Sequence, residues 1–145
     1  MVKKSTFKAA WWLQSAHLQT VWPVFFRKRS EPDLITERLE LNDGDFLDLC
    51  WSKASGRPIV LILHGLEGSI HSHYAGNLML ALERAGFRPV FMHFRGCSGE
   101  PNRMPRSYHS GDTGDLTFVV EHINRTADKS VHAAVGFSLG GNVLL

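Results

Sequence analysis

The sequence predicts an α/β fold, a mostly parallel sheet opened by an antiparallel N-terminal hairpin, with helices on both faces. Three observations predict it. From Ile59 onward, apolar strand-like runs alternate with segments whose apolar residues recur at helical spacing. The run "IVLIL" at 59–63 is continuous and mostly β-branched, as in a strand buried on both faces of a parallel sheet. The three loops of unusual composition, at His64 to Ser69, Arg95 to Asn102 and Ser138, each follow such a run. In open α/β sheets ligands bind beyond the carboxyl ends of the strands, so the three loops point to one site.

Taken in order, "TERLEL" at 36–41 and "FLDLCW" at 46–51 flank Asn42-Asp43-Gly44-Asp45 and read as a hairpin around an Asp-Gly turn. The buried strand 59–63 then stops abruptly at His64-Gly65. Between Tyr74 and Ala85, residues Ala75, Leu78, Met79 and Leu82 form the stripe of an amphipathic helix that Gly86 terminates. "PVFMHF" at 89–94 is the next strand, and the Gly- and Pro-rich stretch from Arg95 to Gly111 is a long loop of the kind that carries function. Leu116, Val119, Val120 and Ile123 repeat the helical stripe, with Asp112 or Thr113 available as a cap. "VHAAVGF" at 131–137 returns to strand, and a third helix opens from Gly140.

Composition narrows the function classes. With 145 residues, 43% of them hydrophobic and 21% charged, the chain suits a soluble globular domain. Its net charge of +2 falls short of the basic footprint of a nucleic-acid binder. Cys50 and Cys97 are too few and too far apart for a disulfide framework or a zinc site, which suits free thiols in a reducing cytoplasm. Residues 1–30 read as an N-terminal arm and 31–145 as the α/β domain. In the arm, Lys3, Lys4 and Lys8 precede an apolar patch that Gln14, Ser15, His17 and Gln19 interrupt, so neither a signal peptide nor a membrane span is expected. Trp11, Trp12, Leu13, Val21, Trp22, Val24, Phe25 and Phe26 are expected to pack on the body of the fold. Because Arg27, Lys28 and Arg29 follow them, peripheral contact with a membrane surface is the alternative.

The candidate chemistry centres on Ser138. "GFSLG" at 136–140 fits G-x-S-x-G, in which a sharp strand-to-helix turn lifts a serine out of the sheet and leaves room only for Gly136 and Gly140 on either side. The N–H of Leu139, at a helix start, has no intrahelical acceptor and can face an oxyanion. The N–H of Leu66, in the loop after an earlier central strand, is the candidate second donor. A glycine turn with His64 buried and hydrogen-bonded to backbone is compatible with that role. "HGLEGS" lacks the lysine of a phosphate-binding loop. His71 and His73 have no Asp or Cys at a useful spacing, so no metal is expected. Cys97 reads as a small buried residue rather than a reactive thiolate.

On these residues the chain resembles the AB hydrolase type 4 family, the YheT-like α/β-hydrolases. The matching stretches are "HLQTVWP" at 17–23, "LNDGDFLDLCW" at 41–51, "HGLEGS" at 64–69, "MHFRGCSGEPNRMPRSYHSGDTGD" at 92–115 and "AVGFSLGGN" at 134–142. The resemblance implies the N-terminal part of an α/β-hydrolase fold and a serine hydrolase of carboxylic esters of short to medium acyl chain, without metal or cofactor. It places Ser138 as nucleophile and Leu66 and Leu139 as oxyanion donors, with a small-molecule or lipid-like ester as substrate. In that family order the acid and histidine of the triad follow the serine, yet only seven residues follow Ser138 and none is Asp, Glu or His. The expectation is a domain truncated after the elbow, inactive by itself and completed by a missing C-terminal half. The competing expectation is a non-catalytic binding or assembly module of hydrolase descent.

Overall fold

A computed structural model describes residues 5–26 and 32–145. Lys3, Lys4 and Arg27 to Arg29 lie outside the described residues, as do the side chain of Val24 and the expected arm boundary at residues 30 and 31. The described elements in chain order are α1 (Ala16–Phe26), β1 (Leu34–Glu40), β2 (Phe46–Ser52), β3 (Ile59–Leu63), α2 (Ala75–Arg84), β4 (Arg88–Met92), α3 (Gly114–Thr126), β5 (Val131–Gly136) and α4 (Leu139–Val143).

The sheet is mixed, with strand order β1-β2-β4-β3-β5. β1 and β2 form the expected antiparallel hairpin, and β2 pairs antiparallel with β4. β4, β3 and β5 run parallel, so the parallel part comprises three of the five strands. β3 is flanked on both sides and buried at every residue, as its unbroken apolar run requires. β5 lies at the edge of the described sheet rather than inside it.

Helices cover both faces. On one, Leu49, Leu61, Leu63, Val90 and Met92 pack with Val119 and Ile123 of α3 and Val143 of α4. On the other, Cys50, Ile62 and Phe91 pack with Ala75 and Met79 of α2. α2 ends as expected at Gly86, whose φ of 88° lets the chain reverse while its N–H donates to Glu83 O. The cap of α3 differs from the expectation. Thr113 occupies the N-cap position, but no side chain caps there, and Asp112 instead accepts a hydrogen bond from Arg106 at 2.8 Å.

The long loop after β4 is held by a buried guanidinium. Arg95 donates to both carboxylate oxygens of Asp115 at 2.7 and 2.8 Å, and to Asp43 at 2.7 Å and Asp45 at 3.0 Å. It thus ties the hairpin turn to the first turn of α3, and its hydrogen bond with Asp115 raises its pKa further. A buried charge is tolerated only when its hydrogen-bonding capacity is filled, which explains why "NDGD", "FRG" and "GDTGD" occur in one chain.

The arm departs most from the sequence reading. Residues 16–26 form a helix, and none of its described aromatics belongs to either apolar core of the domain. Trp22 contacts both Trp12 and Phe26, while Phe7, Trp11 and Phe25 are 73%, 86% and 74% exposed.

Candidate active site

The carboxyl ends of β3, β4 and β5 bring the three expected loops together. Ser138 follows β5 with φ 49° and ψ −113°, a conformation that a non-glycine residue holds only when its surroundings impose it. Those surroundings are β3 and its loop. Phe137 N–H donates to Leu63 O at 3.0 Å, and Gly140 N–H donates to His64 O at 3.1 Å and to Phe137 O at 2.9 Å.

The elbow glycines are where the motif places them, for a measurable reason. A Cβ on Gly136 would lie 2.5 Å from the carbonyl carbon and oxygen of Gly140, and a Cβ on Gly140 would lie 2.5 Å from His64 O. Both obstacles are backbone, which cannot swing aside. A Cβ on Gly65 would lie 3.3 Å from Ser138 Cβ, so the loop after β3 touches the serine directly.

Leu66 and Leu139 stand on the two segments that meet at Ser138. Among the described residues, neither Leu66 N–H nor Leu139 N–H has a hydrogen-bond acceptor. The neighbours of Leu66 are held by tyrosines. Gly65 N–H donates to Tyr74 Oη at 3.5 Å, and Glu67 N–H donates to Tyr108 Oη at 2.7 Å. Glu67 itself sits at φ 53°. Tyr74 stacks on Phe137 of the elbow at 4.1 Å, and Tyr108 stacks on Phe94 at 5.0 Å. The loop bearing Leu66 is therefore fastened to both the elbow and the long loop, with the Leu66 amide left between the two fastenings.

His64 is fully buried and joins all three strand ends. Its Nε2 accepts the Phe94 N–H at 3.0 Å, which leaves Nδ1 protonated and donating to Gly65 O at 2.6 Å. Burial pushes its pKa below the usual histidine value. His64 is thus the buried, backbone-bonded histidine expected beside a glycine turn, with Nε2 already committed. His93 repeats the arrangement one strand over. It accepts Ile70 N–H through Nε2 at 3.1 Å and donates through Nδ1 to Asp48 O at 3.2 Å, and burial lowers its pKa to about 4.

An open hollow of about 500 Å³ lies beside Leu66, with Cys97, Asn102, Pro105 and Tyr108 among its walls. Burial raises the pKa of the Cys97 thiol, in keeping with its reading as an unreactive small residue. Among the described residues, no group of three or more His, Cys, Asp or Glu side chains is placed to hold a metal.

The residues singled out in the sequence, Ser138, Leu66, Leu139, Gly136 and Gly140, lie together where the segments after β3 and β5 meet. Sequence reasoning missed Tyr74, Tyr108, His93 and Arg95, whose roles depend on partners far along the chain. "YHSG" at 108–111 was the one signal that could have pointed to Tyr108.

Comparison with known proteins agrees with the architecture. The alpha/beta hydrolase fold family matches residues 58–145. "Putative esterase YheT" of Escherichia coli (strain K12) is 48% identical over 134 residues, which are 90% of this chain and 39% of that protein. "Phospholipase ABHD3" of Homo sapiens is 29% identical over 153 residues, covering 99% of this chain and 37% of that one. The chain therefore spans less than half the length of these relatives. Among solved structures, the Pyrococcus furiosus esterase Pf2001 superimposes with a TM-score of 0.64 at 22% identity, over 77% of this chain and 44% of that one. XC6422 of Xanthomonas campestris, an a/b serine hydrolase without lid, gives 0.61 at 22% identity, over 82% and 57%.

Proposed function

Since the chain belongs to the alpha/beta hydrolase fold family, we propose that it is the nucleophile-bearing portion of a serine hydrolase acting on carboxylic esters. The observation that carries the reading is the backbone of Ser138, held at φ 49° between two glycines that admit no side chain and against Gly65 of the oxyanion loop. A strained serine at a strand end, beside two N–H groups without acceptors, suits attack on a carbonyl.

In this mechanism Ser138 Oγ adds to the ester carbonyl as a base takes its proton. The N–H groups of Leu66 and Leu139 receive the negative charge of the tetrahedral intermediate. Collapse releases the alcohol, which leaves with the proton returned by the base, and water then hydrolyses the acyl-serine by the same steps in reverse order. The base and its acidic partner are contributed from outside residues 1–145. His64 does not serve, because its Nε2 lone pair accepts the Phe94 N–H.

Substrates of short to medium acyl chain follow from the resemblance to the YheT-like hydrolases. Lipid-like esters fit the class named by the phospholipase relative. The hollow beside Leu66 is where one arm of such an ester would lie. We place the activity in the cytoplasm, on the strength of the free thiols of Cys50 and Cys97. Among the described residues, no helix is long and apolar enough to cross a membrane.

A second reading, an assembly module of hydrolase descent without turnover, is favoured by the commitment of His64 to the backbone. The two are separated by expressing the longer protein that contains this chain and measuring hydrolysis of p-nitrophenyl esters. Under the hydrolase reading, Ser138→Ala removes turnover and labelling by a fluorophosphonate while the melting curve stays in place. Equal turnover in the variant would remove Ser138 from the mechanism, and an inactive wild-type protein would favour the module.

A further inference from the structure

We propose that the N-terminal arm, from Phe7 to Phe26, is a peripheral anchor for an anionic lipid bilayer surface. The first observation is exposure. Phe7, Trp11, Leu18, Phe25 and Phe26 are each more than half exposed, and α1 is not packed into either apolar core of the domain. Large apolar groups gathered on one short segment, rather than scattered singly, mark a surface that meets another apolar phase.

The second observation is charge. The first 30 residues contain six of the sixteen Lys and Arg and none of the fourteen Asp and Glu, so the arm, with Lys8 inside it and the other five just beside its ends in the sequence, sits in a strongly basic stretch while the remainder of the chain is net acidic. Such segregation is complementary to an anionic surface, and each basic residue near one contributes about 1 kcal/mol. Protein partners of mixed charge offer no reason for so one-sided a distribution.

The third observation is residue type and geometry. Three of the four tryptophans lie in the arm, at positions 11, 12 and 22. Tryptophan favours the headgroup region, where its ring meets acyl chains and its N–H meets water. Trp22 contacts both Trp12 and Phe26, with the Trp12 and Trp22 centroids at 5.2 Å and Trp22 stacked on Phe26 at 4.0 Å. This cluster braces the helix, and Trp11, Phe25 and Phe7 are the most exposed of the arm's aromatics. The helix has eleven residues and lies at an interface rather than across it.

The inference stands independently of Ser138 and its chemistry. Its test is sedimentation of the 145-residue chain with vesicles of phosphatidylcholine alone or mixed with phosphatidylglycerol, together with tryptophan emission. Trp51 is buried in the sheet, so a blue shift on adding vesicles reports the arm. The expected result is binding and a blue shift with phosphatidylglycerol vesicles, weakened at high salt and reduced about tenfold in Trp11→Ser/Phe25→Ser. Equal binding by that double variant, or equal binding to neutral vesicles at all salt concentrations, would overturn the proposal. So would a longer form of the protein whose arm tryptophans are already blue-shifted without lipid, since that would make another part of the same protein the occupant.

Discussion

β3 and β5 are parallel neighbours of similar length and apolar character, yet the molecule treats them differently. Every residue of β3 is buried, between β4 and β5 and under helices on both faces. In β5, His132, Ala133 and Ala134 are exposed and Val131, Val135 and Gly136 are half-buried, and no described strand pairs with its outer edge. Ser138 nevertheless directly follows β5. Its geometry is imposed from β3, through Leu63 O and His64 O, rather than by its own strand. The difference teaches that the turn at Ser138 is a feature of the β3 side of the site.

Substitutions can break this comparison, beginning with the largest effect. Gly140→Ala forces a Cβ against His64 O and Leu63 Cβ, at 2.5 and 2.8 Å, and separates the elbow from β3. We expect about 3 kcal/mol of destabilisation, as for severe overpacking, and loss of ester turnover in the longer protein. An unchanged denaturant midpoint would show that the elbow is not held by β3.

Leu61→Ala and Val135→Ala then compare the two strands themselves. Leu61 is fully buried, so its truncation is expected to cost about 3 kcal/mol. Val135 is half-buried, and its truncation should cost under about 1 kcal/mol. Equal shifts in urea unfolding would mean that β5 is as fully covered as β3.

Acid sharpens the comparison from the β3 and β4 side. The folded protein holds His93 neutral down to about pH 4, whereas an unfolded histidine protonates near its ordinary value of about 6.5. Between these values the unfolded state binds more protons, so stability is full above about pH 6.5 and falls as pH drops toward 4. His64, also depressed by burial, contributes in the same direction. Lowered carboxylates such as Asp48, held by Arg38 against the cost of burial, extend the loss to lower pH. Thermal melts from pH 7.5 to 4.5 should show a falling midpoint, and a flat profile would contradict the buried neutral histidines.

A smaller effect than at Gly140 or Leu61 is expected at Tyr108→Phe. The ring keeps its stacking on Phe94, and only the Oη that accepts Glu67 N–H is removed. Stability should fall by about 1 kcal/mol. In the longer protein, kcat should drop several-fold with KM nearly constant, because the loop bearing Leu66 loosens while the ring still walls the hollow. A change confined to KM would assign Tyr108 to substrate binding instead.

Much of the site was legible because the responsible constraints are local. A serine between Gly136 and Gly140 after an apolar run is a short-range pattern, and so is a glycine turn directly after "IVLIL". The fastenings were not legible. Tyr108 is 41 residues from Glu67, and Arg95 is about 50 from Asp43 and Asp45, so no window of sequence contains both partners. The arm misled for another reason. Its aromatics carry the composition of a packed segment, but composition does not say whether a complementary surface lies within reach.

By itself, the sequence determined the alternation of strands and helices, the hairpin, the sharp turn at Ser138 and the need for glycine on either side of it, because periodicity and backbone sterics act between near neighbours. Only the tertiary structure decided that β5 stands at the edge of the described sheet, that His64 and His93 give their ring nitrogens to backbone, that two tyrosines frame Leu66 and that Phe7, Trp11 and Phe25 are exposed. Those outcomes depend on which distant surfaces meet, and in a folded chain that is settled by burial and by satisfying buried polar groups.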